Sequence, residues 1–141
     1  MTSFDAINNV AASGMAAQRL RVQLAASNIA NSETTRTPEG GPYRKKDPIF
    51  QVAELSQTAD GMPVNGVAVA GVVASQDPFV SKYDPNHPDA DANGIVQYPN
   101  VNPVEEMVNL TEASRSFDAN VAVVRAVRAM TLSAQDLLRV Q

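Results

Sequence analysis

The chain has 141 residues, 44% hydrophobic, 18% charged and 5% aromatic, with no Cys or Trp, and fifteen acidic residues against eleven Lys and Arg set its net charge at −4. That length suits about one domain, and an apolar supply dominated by Ala and Val builds only a thin core. Missing cysteine excludes a disulfide scaffold, a thiolate metal site and a Cys nucleophile; the acid excess argues against a nucleic-acid partner, since only Arg44, Lys45 and Lys46 cluster; and no apolar run approaches the roughly 20 residues of a membrane span.

Met1-Thr2-Ser3-Phe4-Asp5 lacks the basic and apolar regions of a cleaved secretory signal, so any export is expected to use another route. From Phe4 to Ile29 there is no Pro and one Gly. Phe4, Ile7, Ala11, Met15, Val22, Ala25 and Ile29 fall on one helical stripe, with Val10, Ala17 and Leu24 on a narrower strip beside it. Ser3 reads as the N-cap. A helix with two apolar strips can touch two neighbours.

Asn31 to Pro103 holds all nine prolines and six of the seven glycines, which no long helix survives. Extended runs are expected over Tyr43 to Val52, Val67 to Ala74, Pro78 to Tyr83 and Gly94 to Tyr98, between turn signals at Asp60-Gly61, Asn65-Gly66 and Asn93-Gly94. Asp89-Ala90-Asp91-Ala92-Asn93-Gly94 matches the first half of a calcium loop, but its twelfth position is Asn100 where a bidentate Glu is required. The other reading is an acidic turn whose side chains cap their own backbone. His87, the only histidine, has no recognisable nucleophile motif around it, and the nucleotide-binding glycine motifs are absent.

Val104 to Gln141 contains neither Pro nor Gly, enough for a helix of roughly 55 Å. Leu110, Phe117, Val124, Thr131 and Leu138 repeat every seven residues, and Ala113, Asn120, Val127 and Ala134 fill the matching positions three residues on. Asn120 reads either as a polar residue fixing register or as a solvent-facing one. Glu105 and Glu106 at the helix start, with Arg125, Arg128 and Arg139 toward its end, read as complements of the helix dipole. The stripe needs a partner, and the first helix is the one within the chain. The fold class is therefore α+β: long terminal helices (residues 1–32 and 103–141) pairing as a coiled coil, with a small β-rich domain (33–102) inserted between them. The longer helix leaves a surplus expected to meet other copies.

Ala25-Ala26-Ser27-Asn28-Ile29-Ala30-Asn31 resembles the signature ending the first helix in bacterial flagellar axial proteins. Asn100 to Leu110, continuing through Ala113 to Val121, resembles their carboxy-terminal motif, and Pro42 to Lys46, Tyr83 to Ala90 and Gly94-Ile95-Val96 are similar to proximal-rod members. Glu54 to Ala74 matches no motif of the family. The resemblance implies a structural subunit of the flagellar basal body's proximal rod, without enzymatic activity, cofactor or metal. It implies type III export without a cleaved signal peptide, polymerisation in the periplasm into a hollow drive shaft for motility, and partners that are other copies, other rod proteins and the export apparatus. The expected assembly surface comprises Phe4, Ile7, Val22, Asn28, Ile29 and Asn31 on the first helix, and Leu110, Phe117, Val124, Val127 and Leu138 on the last. The alternative is a secreted calcium-dependent binding module or hydrolase built around Asp84 to Asn93.

Overall fold

The computed structural model describes residues 3–57 and 61–139. Helix α1 (Ser3–Ala30) leads into a loop, a long hairpin of β1 (Lys46–Gln57) and β2 (Pro63–Ala74), a short hairpin of β3 (Val80–Tyr83) and β4 (Ile95–Tyr98), and helix α2 (Pro103–Arg139). The architecture is α+β, with two separate two-stranded antiparallel sheets. Among the described residues no helix is long and apolar enough to cross a membrane.

Both helices have side-chain caps at the inner ends. Asn31 closes α1: its Nδ2 and its backbone N–H both donate to Ser27 O, at 2.9 and 3.1 Å, and its Oδ1 accepts from Thr34 Oγ1 at 3.1 Å. Asn102 opens α2, its Oδ1 accepting the Val104 N–H at 3.1 Å, with Pro103 at the first helical position where a missing N–H costs nothing. The side chain of Ser3, the expected cap of α1, lies outside the described residues.

The helices run antiparallel. Asn28 meets Glu106, Arg21 meets Asn109 and Glu112, and Gly14 faces Asn120. A β-carbon on Gly14 would stand 3.1 Å from Asn120 Nδ2, so glycine lets the two backbones approach at that point. The half-buried Asn120 thus lies in the seam, its Nδ2 donating to Ser116 O at 3.0 Å.

The α1 face in this seam differs from the stripe expected of it. Its most buried residues are Ala11 and Ala25 of the main stripe, Ala17 of the second strip, and Asn28, which belongs to neither, while Phe4, Met15 and Val22 stay half-buried and Ile7 and Val10 are exposed. Small residues admit close helix approach, and they displace the larger ones to the flanks. On α2 the heptad holds as far as Thr131: Ala113 and Val127 are buried, and Leu110, Phe117, Val124 and Thr131 sit half-buried beside them, whereas Ala134 is exposed.

The long hairpin lies along α1. Its β2 strand donates the Val67 N–H to Ser13 Oγ at 3.1 Å, and the neighbouring Gly66 is wedged between Ser13 and Leu55, where a β-carbon would collide with both. Register shifts at Ile49/Phe50 and Glu54/Ser56 carry the ladder past the expected strand ends. Much of the ribbon remains open to solvent, with Val52 three-quarters exposed.

Candidate assembly surface and its buried polar hub

Where α1 ends, β1 begins and α2 starts, the core is polar. Asn28, 1% exposed, satisfies its amide completely: Nδ2 donates to Lys46 O and to Glu106 Oε2, both at 3.0 Å, and Oδ1 accepts from Tyr43 Oη at 2.9 Å and from the Lys46 N–H at 3.0 Å. Glu106 is 2% exposed, and its other oxygen, Oε1, faces Lys45 Nζ at 3.1 Å. That contact is ionic rather than a well-directed hydrogen bond, so the charge on Lys45 is what compensates Oε1. Burial works to lower the Lys45 pKa, but the contacts with Glu106 and Asp47 outweigh it and the net shift is upward. A buried carboxylate held by an amide and an ammonium from two other segments fixes three parts of the chain at one point.

A cavity of about 220 Å³ opens beside this hub, lined in part by Arg21, Asp47, Phe50 and Asn109. On the same side Arg21 spans the helices, reaching Asn109 Oδ1 at 3.2 Å and Glu112 Oε2 at 3.4 Å. Arg44 leaves the basic cluster to stack over the Phe79 ring, 4.4 Å from its centroid. The three adjacent cations are therefore a clasp and a stack, not one positive patch.

The structure distributes the expected assembly residues over two environments. Asn28 and Val127 are buried within the chain, whereas Phe4, Val22, Ile29, Asn31, Leu110, Phe117 and Val124 are half-buried at the rims of the helix pair, and Ile7 is exposed. The Leu138 side chain lies outside the described residues. Sequence reasoning missed Glu106, which it placed among the dipole-complementing charges, and it missed Tyr43, Lys45 and Gly14 as packing residues. The one available signal was that Asn28 on a helical face needs a partner.

In the acidic loop Asp84 and Asp91 serve the backbone and Asp89 binds side chains. Asp91 Oδ1 accepts the Asn93 and Ile95 N–H groups at 2.8 and 2.9 Å, Asp84 Oδ1 accepts the Asn86 N–H at 3.3 Å, and Asp89 is bound by Thr35 Oγ1 at 2.8 Å. His87 Nδ1 accepts the Asp89 N–H at 3.1 Å, and its ring meets Tyr98 edge-on. Gly94, at φ +75°, closes the turn against Tyr83 and Pro85. Among the described residues no three His, Asp or Glu side chains gather as metal ligands would.

Both helical ends of this framework match known families. Residues 9–36 match the family described as flagella basal body rod protein, and residues 92–137 match the carboxy-terminal family of the flagellar basal body rod FlgEFG proteins. The flagellar basal-body rod protein FlgC of Salmonella typhimurium is 47% identical over 126 residues, covering 89% of this chain and 91% of that protein. The chain belongs to the FlgC family of flagellar basal-body rod proteins. FlgC of Borreliella burgdorferi is 40% identical, covering 93% of this chain and 95% of its own, and FlgC of Bacillus subtilis is 37% identical, covering 97% and 99%. The two matched segments contain Asn28 and Glu106, so the contact between these residues joins the two family segments.

Proposed function

We propose that this chain is a structural subunit of the flagellar basal-body rod, not an enzyme, and that it assembles through its terminal helices. Membership of the FlgC family supports the rod. The observation that carries assembly is the helix pair itself: its core is alanine with one asparagine, one glutamate and one valine, while Val22, Phe117 and Val124 wait half-covered at the rims. Paired antiparallel helices with a heptad on α2 favour a coiled-coil layer over residues 1–32 and 103–141, with residues 33–102 as an outward excursion. Phe4, Ile7, Val22, Ile29, Asn31, Leu110, Phe117, Val124 and Leu138 then meet neighbours, and Asn28 and Val127 hold the pair that presents them.

In this reading the subunits stack into the proximal part of a hollow shaft in the periplasm, alongside other rod proteins. The shaft transmits torque through many weak contacts acting together. The chain reaches that place through the flagellar export apparatus without a cleaved signal, unfolded, which suits a fold of low intrinsic stability. Imaging basal bodies from cells carrying a label in the turn between β1 and β2 tests it: density in the proximal rod is expected. Label found free in the periplasm of cells with complete basal bodies overturns it.

A further inference from the structure

The face of α2 turned away from α1 carries a row at helical spacing, Val104, Met107, Val108 and Thr111, of which the first three are 67%, 58% and 53% exposed. Thr111 turns its hydroxyl back to Met107 O at 2.8 Å, so its methyl group completes an apolar surface. The chain cannot cover this row itself, because α1 packs on the opposite side, against Glu106, Ala113 and Val127.

Elsewhere on the helix pair is a groove of about 250 Å³ between α1 and α2, with Val22 and Phe117 as its apolar lining and Arg19 and Asp118 among its walls. Glu112 and Arg115 border the row, and Arg19 and Asp118 line the groove. Glu112 is paired with Arg21, whereas Arg115, Arg19 and Asp118 have no ion-pair partner among the described residues. The row thus offers an unpaired base and the groove an unpaired acid, each beside an apolar centre, one exposed and one recessed.

We propose that the Val104–Met107–Val108 row of one subunit seats in the Val22–Phe117 groove of a second copy of this chain, with Arg115 facing Asp118 across the contact. The inference rests on the rod reading and names the contact that reading requires. Because the two surfaces differ, the contact is head-to-tail and does not close on itself as a two-fold dimer would; repeated, it builds an open or ring-like series. Row and groove are centred about ten residues apart on α2, an axial step on the order of 15 Å.

The absence of native cysteine makes the test direct. Full-length chains carrying Met107→Cys and, separately, Val22→Cys are assembled at high concentration and mildly oxidised, alone and mixed. The mixture is expected to give at least tenfold more covalent dimer than either chain alone. Dimer from Met107→Cys alone at the same yield indicates a two-fold contact and overturns the proposal. If circular dichroism shows Val22→Cys to be unfolded, Ser114→Cys on the groove wall replaces it.

Charge reversal supplies the second readout. Arg115→Asp and Asp118→Arg each place like charges in the contact and should reduce sedimenting assemblies at least tenfold, whereas mixing the two variants restores them by alternation. Within a single chain neither variant regains its lost charge, so a merely structural role predicts no rescue. Assemblies that form without the 107–22 cross-link overturn this contact and leave the rod reading standing; a chain that never self-associates removes both.

Discussion

Asn28 and Glu106 lie 78 residues apart in the chain and are joined by a 3.0 Å hydrogen bond in the buried junction of α1, β1 and α2. The bond explains why an asparagine occupies the inward face of a helix. Only a side chain that both donates and accepts twice can bind the Glu106 carboxylate, both polar groups of the Lys46 backbone and the Tyr43 hydroxyl together. Asn28→Ala leaves all of these groups without that partner, at a cost of about 2–4 kcal/mol. Asn28→Asp is worse at neutral pH, since it sets a carboxylate against Glu106, and part of its loss should return in mild acid as one carboxyl takes a proton that can bridge the pair. Urea unfolding of both variants at pH 5 and 7 checks this; equal losses at both pH values would show that the introduced carboxylate does not oppose Glu106.

The Lys45 ammonium gives the same junction an alkaline limit. Its pKa is raised above the ordinary 10.5, so the folded state binds the proton more tightly than the unfolded chain. That contribution is complete below pH 10.5 and is lost as pH rises through the folded value. Lys45→Met should remove this stabilisation and leave Glu106 Oε1 uncompensated, destabilising the wild-type fold by about 3 kcal/mol at pH 7. As pH rises past 10.5 the difference between the two proteins should narrow. Denaturation followed from pH 7 to 11.5 reads it, and a gap that widens with pH would contradict the assigned pair.

Gly14 offers a coupling that can be measured. Glycine inside a helix gives up about 1 kcal/mol relative to alanine, but a β-carbon here meets Asn120. Gly14→Ala should therefore gain little or lose in the native background and stabilise by about 1 kcal/mol once Asn120→Ala clears the space. A double-mutant cycle with no interaction energy would mean the helices do not approach closely at this point.

The periodicities in the sequence locate both helices, and the α2 heptad identifies the line that packs. On α1 they find the right faces but not the order of burial: Ala11 and Ala25 of the main stripe and Ala17 of the second strip are buried, whereas the larger Phe4, Met15 and Val22 stay half-buried, since the close approach at Gly14 favours small side chains. The extended run in the sequence begins at Tyr43, but that side chain is drawn into the hub and the β1 ladder starts at Lys46. It then runs on to Gln57, where the polar Glu54, Ser56 and Gln57 are held by pairing with Asn65, Val64 and Pro63 rather than by their own propensity. Glu106 was legible only as one of two acids at a helix start. Which of Glu105 and Glu106 is buried depends on where Asn28 lies across the chain, and no local pattern carries that information.

The last prediction separates export from assembly at Val124, half-buried on the seam of α2. Val124→Asp sets a carboxylate at the rim of the helix pair, where covering it with a neighbour leaves an unpaired charge costing several kcal/mol or forces its protonation. The net stability of a domain is only about 5–15 kcal/mol, and a core of alanines stands near the lower end. On the proposed route, export of an unfolded chain requires no finished helix pair, so the variant should still leave the cytoplasm. Rod assembly should fail, and cells should be non-motile and without hooks. Gln135→Asp, an added charge on an exposed position of the same helix, should assemble normally. Immunoblots of exported protein beside electron micrographs of basal bodies read both halves. Complete hooks with Val124→Asp would mean that subunits do not meet along this seam, and α2 would then serve only to cover its own α1.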